Sequence, residues 1–65
     1  MPGLMEWILQ GFNKTEQDQI CEAHGDLVAL AQAGGKLESA SATLKAVVGS
    51  PRLNQGLRIY MAYAF

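Results

Sequence analysis

The sequence has one cysteine, two prolines and one histidine in 65 residues, and its charged residues amount to only 17%. Each scarcity closes a route. A lone Cys21 forbids an intramolecular disulfide, so the fold is not a stapled one. Cys21 and His24 are three apart, as two ligands on one helix face could be, but no second Cys or His exists to complete a tetrahedral zinc site. A metal would need ligands from two chains, and a buried thiol beside an interface histidine is the expected arrangement. No metal and no cofactor are expected. The start lacks a positively charged segment and a long apolar run, which is not the pattern of a secretion signal. The apolar C-terminal run, residues 59–65, is far short of the ~20 residues of a spanning helix. A cytoplasmic, non-membrane protein is the expectation.

Catalytic patterns are missing too. Gly34-Gly35-Lys36 is followed by Leu37 rather than Ser or Thr and is not preceded by a strand-like run, so it fails as a phosphate loop. Cys21 with His24 has the spacing of a nucleophile and base, but nothing suggests an oxyanion hole. Glu22 and Asp26 fit a solvated acidic helix face better than acid–base work. The expectation is a protein without enzymatic activity.

What the chain does have is apolar residues, 49% of the total. A chain this short buries only ~60% of the surface its unfolded form exposes. Apolar surface is therefore expected to remain outside and to be covered by another chain. The apolar residues recur at helical intervals, which predicts an all-α fold forming one domain over residues 1–65. A short N-terminal helix is expected after Pro2 and Gly3, with Leu4, Ile8 and Phe12 on one face and Trp7 either in the core, the safer reading, or an interface anchor. Asn13 with Glu16, or Thr15 with Asp18, can cap a helix over about 15–33, with a kink possible at Gly25. Its inward set is Ile20, Ala23, Leu27, Leu30 and Ala31, and Gly34-Gly35 ends it. A second helix over 36–48 carries Leu37, Ala40, Leu44, Val47 and Val48, forming a hairpin with the first. Ser50-Pro51 starts a last helix, 51–64, with Leu53, Leu57, Tyr60, Met61 and Ala64 on one face.

Net charge is −1, unevenly spread. Residues 1–33 carry five acids against Lys14, a balance of −4, and residues 34–65 carry Lys36, Lys45, Arg52 and Arg58 against Glu38, a balance of +3. Mutual packing of the two halves is the plainer reading. An acidic partner or a phosphate on the basic half is the sharper one.

Residues 19–25, Gln-Ile-Cys-Glu-Ala-His-Gly, resemble the first helix and turn of a helix-turn-helix. That resemblance implies DNA reading by residues 27–33, where Gln32 alone could meet a base edge and no cation is present for phosphate. Residues 21–25 and 28–31, with Gly34-Gly35-Lys36, also resemble pieces of the TAL-effector repeat, at a different spacing and once where an array is required.

The functional expectation is a protein–protein interaction module acting as a homo-oligomer, dimeric or larger. Its style is that of a small inhibitor or adaptor, of the kind phages and mobile elements encode. The expected contact set is Trp7, Phe12, Tyr60, Met61, Tyr63 and Phe65, with Arg52 and Arg58 setting charge preference. The alternative is a regulator that binds nucleic acid, a nucleotide or another anion through Ser50, Arg52 and Arg58 at the last helix's N-terminus.

Overall fold

The computed structural model describes residues 3–64, and all regular structure among them is helical. Four α-helices follow in order: α1 (Leu4–Ile8), α2 (Lys14–Gln32), α3 (Ala42–Gly49) and α4 (Pro51–Ala64), with a short 3-10 turn at Leu37–Ser39. The fold is all-α, as the periodicity predicts. The expectations for Pro2 and Phe65, and for the side chain of Ala64, lie outside the described residues.

α2 starts at the first of its two candidate caps. The Asn13 side chain accepts the Glu16 amide at 2.8 Å, and the Glu16 carboxylate accepts the Asn13 amide at 3.0 Å. This reciprocal box satisfies two backbone donors that a helix start leaves free. The helix then runs without a break through Gly25. There is no turn at that glycine, so the helix-turn-helix implied by residues 19–25 does not form. At the other end Gly34 adopts φ 67°. Its amide donates to Ala31 O at 3.1 Å and the Gly35 amide to Leu30 O at 2.9 Å, which closes a Schellman motif.

The second arm of the hairpin is shorter than 36–48. Lys36 and Ala40 are extended, and Ser41 caps α3 by accepting the Leu44 amide at 3.1 Å. The same hydroxyl donates to the Asp26 carboxylate on α2 at 2.5 Å. One serine thus ends the connection and fastens it to the preceding helix, and Asp26 is engaged rather than simply solvated. Leu37, left on the 3-10 turn, is exposed.

Leu9, Ile20, Ala23, Leu44, Val47 and Leu57 form the buried core. α2, α3 and α4 pack on one another around it, and α1 docks on α2 and α4. α1 is only five residues long and reaches the core through Leu9, just beyond its end. Such a short helix has one inner face, held here by Met5 and Ile8. Leu4 and Trp7 fall on the other side and are exposed, Trp7 at 59%, which corrects its assignment to the core. Cys21 is also exposed, not buried. It follows Ile20 by one residue and is turned off the stripe of Ile20 and Ala23 by the ~100° helical step.

Two features of the core depend on polar or missing atoms. Gln17, 7% exposed, donates through Nε2 to Leu9 O at 3.1 Å and Phe12 O at 3.0 Å, pairing carbonyls in the link from α1 to α2. At Gly56 the α4 backbone comes so close to α2 and the preceding link that a Cβ would lie 2.6 Å from Ile20 Cδ1 and 2.8 Å from Phe12 Cζ.

These contacts predict opposite outcomes for two helical glycines. Gly25→Ala meets nothing within 4 Å and is expected to stabilise by about 0.5–1 kcal/mol through helix propensity. Gly56→Ala gains the same propensity but forces Ile20 and Phe12 apart, for a net loss of about 1–2 kcal/mol. Gln17→Leu takes a donor from the Phe12 carbonyl and leaves the Leu9 carbonyl with the Phe12 amide alone, and is expected to cost about 1–3 kcal/mol. Urea unfolding of the three variants, followed by circular dichroism, reads all three signs.

Candidate functional site

The residues expected to make contacts divide into two groups. Phe12, Tyr60 and Met61 are half-buried and pack against the core. Trp7, Tyr63 and Arg58 face outward.

Arg52, expected to greet an anion, is already engaged. Its Nε donates to Glu16 Oε2 at 2.9 Å and its NH2 group to Glu16 Oε1 at 3.2 Å, a two-point grip on the carboxylate. NH2 also donates to Gly11 O at 2.7 Å, and the guanidinium lies 4.4 Å above the Phe12 ring centre. The start of α4 is thereby clasped to the start of α2 and to the link before it. The hydrogen bond from Arg52, reinforced by the Asn13 amide, holds the Glu16 carboxyl below the usual carboxylate range. Glu16 in turn raises the Arg52 pKa.

Ser50 acts as a cap. Its hydroxyl accepts the Leu53 amide at 3.4 Å, and its carbonyl accepts the Asn54 amide at 2.7 Å. Asn54 Nδ2 donates to Val48 O at 2.9 Å, which satisfies an end carbonyl of α3. The three residues of the expected anion site therefore do not converge: Ser50 and Arg52 serve the fold, and Arg58 stands further along α4. Arg58, Gln55, Ile59 and Ala62 line an open groove of about 800 Å³ along the outer side of α4, bounded by Val48 and Gly49 of α3.

Tyr60 stands edge-on to His24 with ring centres 5.1 Å apart. Burial, then the charge of and a hydrogen bond with Cys21, push its phenol pKa up. No group of three or more His, Cys, Asp or Glu among the described residues is arranged to hold a metal ion. No helix there is long and apolar enough to cross a membrane.

The most exposed apolar surface lies where α1 meets the C-terminal half of α4. Trp7 and Tyr63 contact edge to face, with ring centres 6.4 Å apart. Tyr63 is 61% exposed, Leu4 61% and Ile59 38%. Leu4 lies three residues before Trp7 and Ile59 four before Tyr63, so each neighbours its aromatic on the helix surface. Neither Leu4 nor Ile59 is in the contact set expected from sequence. The wide apolar end of α4 signals Ile59, whereas Leu4 has no signal separable from an inward stripe.

No family model matches the chain, and no curated protein or solved structure matches it.

The Arg52–Glu16 clasp gives a pH dependence of definite sign. The folded pKa of Glu16 lies below its unfolded value. The clasp's contribution is therefore fully present above the unfolded value, ~4.3, and is lost as pH falls through the folded one. Glu16→Gln keeps a side chain able to close the capping box but removes the ion pair. Its stability is expected to fall less than the wild type's as pH drops below ~4.3, measured by urea midpoints across the acid range.

Proposed function

We propose that the protein is a non-catalytic protein-interaction module, an inhibitor or adaptor, that binds through the exposed face shared by α1 and α4. The observation that carries this reading is the joined exposure of Trp7 and Tyr63 beside Leu4 and Ile59. With ~150–250 Å² for a whole aromatic side chain, the two rings together leave roughly 200–300 Å² in water. With Leu4 and Ile59 the patch approaches ~400 Å², which is as large as the greatest apolar patch on a typical monomer. Aromatic residues of this kind serve as anchors because they desolvate a large area with few rotatable bonds.

The alternative, nucleic-acid or anion binding through the basic half, is weakened by the clasp. Ser50 and Arg52 are committed internally, and Lys36, Lys45 and Arg58 make a sparse phosphate-binding set. Neutralising so few phosphates would give a shallow salt dependence and weak affinity.

Native mass spectrometry of protein purified gently from its host separates the two. The expected result is a bound protein chain, a second copy or another, that is retained as salt is raised and lost from the Trp7→Ala/Tyr63→Ala double variant. Loss with Arg58→Glu but not with that double variant, together with a bound nucleotide or nucleic acid, would move the function to the basic half.

A further inference from the structure

We infer that the groove along the outer side of α4 is a second docking surface, one that takes an acidic segment of another protein. It is separate from the aromatic face. Of Leu4, Trp7, Ile59 and Tyr63, only Ile59 lines it.

The groove lies where the end of α3 meets the outward side of α4 and holds about 800 Å³. That volume falls in the range of ligand-binding clefts. From Pro51 to Ala62 it follows ~16 Å of α4, a length that about five residues of extended chain would cover. A lone ion would leave Val48, Ile59 and Ala62 in water, whereas a polypeptide segment covers them.

Charge selects the segment. Arg58 is the one charged side chain lining the groove, and among the described residues it takes part in no ion pair or hydrogen bond. Gln55, also on the groove wall, is likewise without a side-chain partner among them. Asn54 differs, since its Nδ2 is held by the Val48 carbonyl. The residues one turn from Arg58 on α4 are Asn54, Gln55, Met61 and Ala62, so its own helix offers it no acid. The two helices that wall the groove carry Lys45, Arg52 and Arg58 and no acid at all. Glu16 neutralises Arg52, which leaves Lys45 and Arg58 to set a positive potential on this side. An unpaired guanidinium with an amide donor one turn before it suits a carboxylate, whose oxygens can accept from both.

Nucleic acid fits the same groove poorly. Among the described residues no aromatic ring lines it for a base to stack on. One guanidinium does not neutralise a run of phosphates.

The experiment presents the purified full chain to a library of random peptides of ~12 residues, long enough to span the groove extended or as a helix. Peptides retained by the wild type but not by Arg58→Glu are sequenced. The expected set is enriched in Asp or Glu beside apolar residues. Fluorescence anisotropy of its leading member should show binding weakened at least ~10-fold by Arg58→Glu. Lys45→Glu makes the same charge change on α3 outside the groove, and should alter binding less than about threefold. The Trp7→Ala/Tyr63→Ala double variant should also stay within about threefold. All four positions are exposed, so helical circular dichroism should be unchanged throughout.

The absence of an acidic set specific to the wild type overturns the inference, as does equal loss with Lys45→Glu. Loss with the Trp7→Ala/Tyr63→Ala variant overturns it as well, and gives the contact to the aromatic face, whose reading then stands. A dimer in sedimentation that Arg58→Glu dissolves gives the groove to a second copy and overturns the acidic-segment inference. So does single-stranded DNA that displaces the peptide and binds more tightly.

Discussion

α4 reaches its place against α2 because residue 56 has no side chain. The hypothetical Cβ there falls within van der Waals radii of Ile20 and Phe12, so those groups occupy the space that any other residue would need. The approach fixes the position of the Phe12 ring, on which the Arg52 guanidinium rests. From that position Arg52 spans Glu16 and the Gly11 carbonyl at once. Gln17 completes the same corner from within by donating to the carbonyls of Leu9 and Phe12. A glycine, two pairs of polar contacts and one ring thus lock the link between α1 and α2 against the start of α4. No core side chain in that region could be changed alone without disturbing the others, which is the expected behaviour of close-packed interiors.

The opposite region is built differently. Around Trp7 and Tyr63 the polar contacts give way to exposed apolar surface, and α1 is too short to cover the outer side of α4. With so few residues, the inward faces of α2, α3 and α4 consume the apolar groups that can be buried around one core. What remains is large, aromatic and outward. The polar residues that could have formed an anion site at the start of α4 are absorbed by the locked corner: Ser50 into a cap, Asn54 onto α3, and Arg52 into the clasp. The division of labour along α4 follows from this. Its first turn holds the fold together, and the outer side of its last two turns offers surface while Leu57, Tyr60 and Met61 face the core.

Much of this architecture was legible in the sequence because helix punctuation is local chemistry. Asn13 with Glu16, Gly34-Gly35 and Ser50-Pro51 act through hydrogen bonds or backbone freedom within a few residues. Ser41 shows the limit of such reading. Leu37, Ala40 and Leu44 continue a helical stripe, and that periodicity outweighs a serine whose hydroxyl is fixed partly by Asp26, fifteen residues earlier. The outward placement of Leu4, Trp7 and Cys21 escapes the sequence for a related reason. A stripe specifies which residues share a face, but not which of two adjacent faces turns inward, and in a five-residue helix only tertiary contact decides. Gln17, Gly56 and Arg52 carry no local signature, since each acts across elements.

The uneven charge of the chain has a similar explanation. The acidic first half and the basic second half do meet, but the ion pair joining them among the described residues is the Arg52–Glu16 clasp, while Lys14 pairs with Asp18 on its own helix. Complementary packing of the halves therefore accounts for a small part of the asymmetry. Apolar burial is non-directional and accepts many partners at many angles, whereas a charge at a rim changes which partner and which register are tolerated.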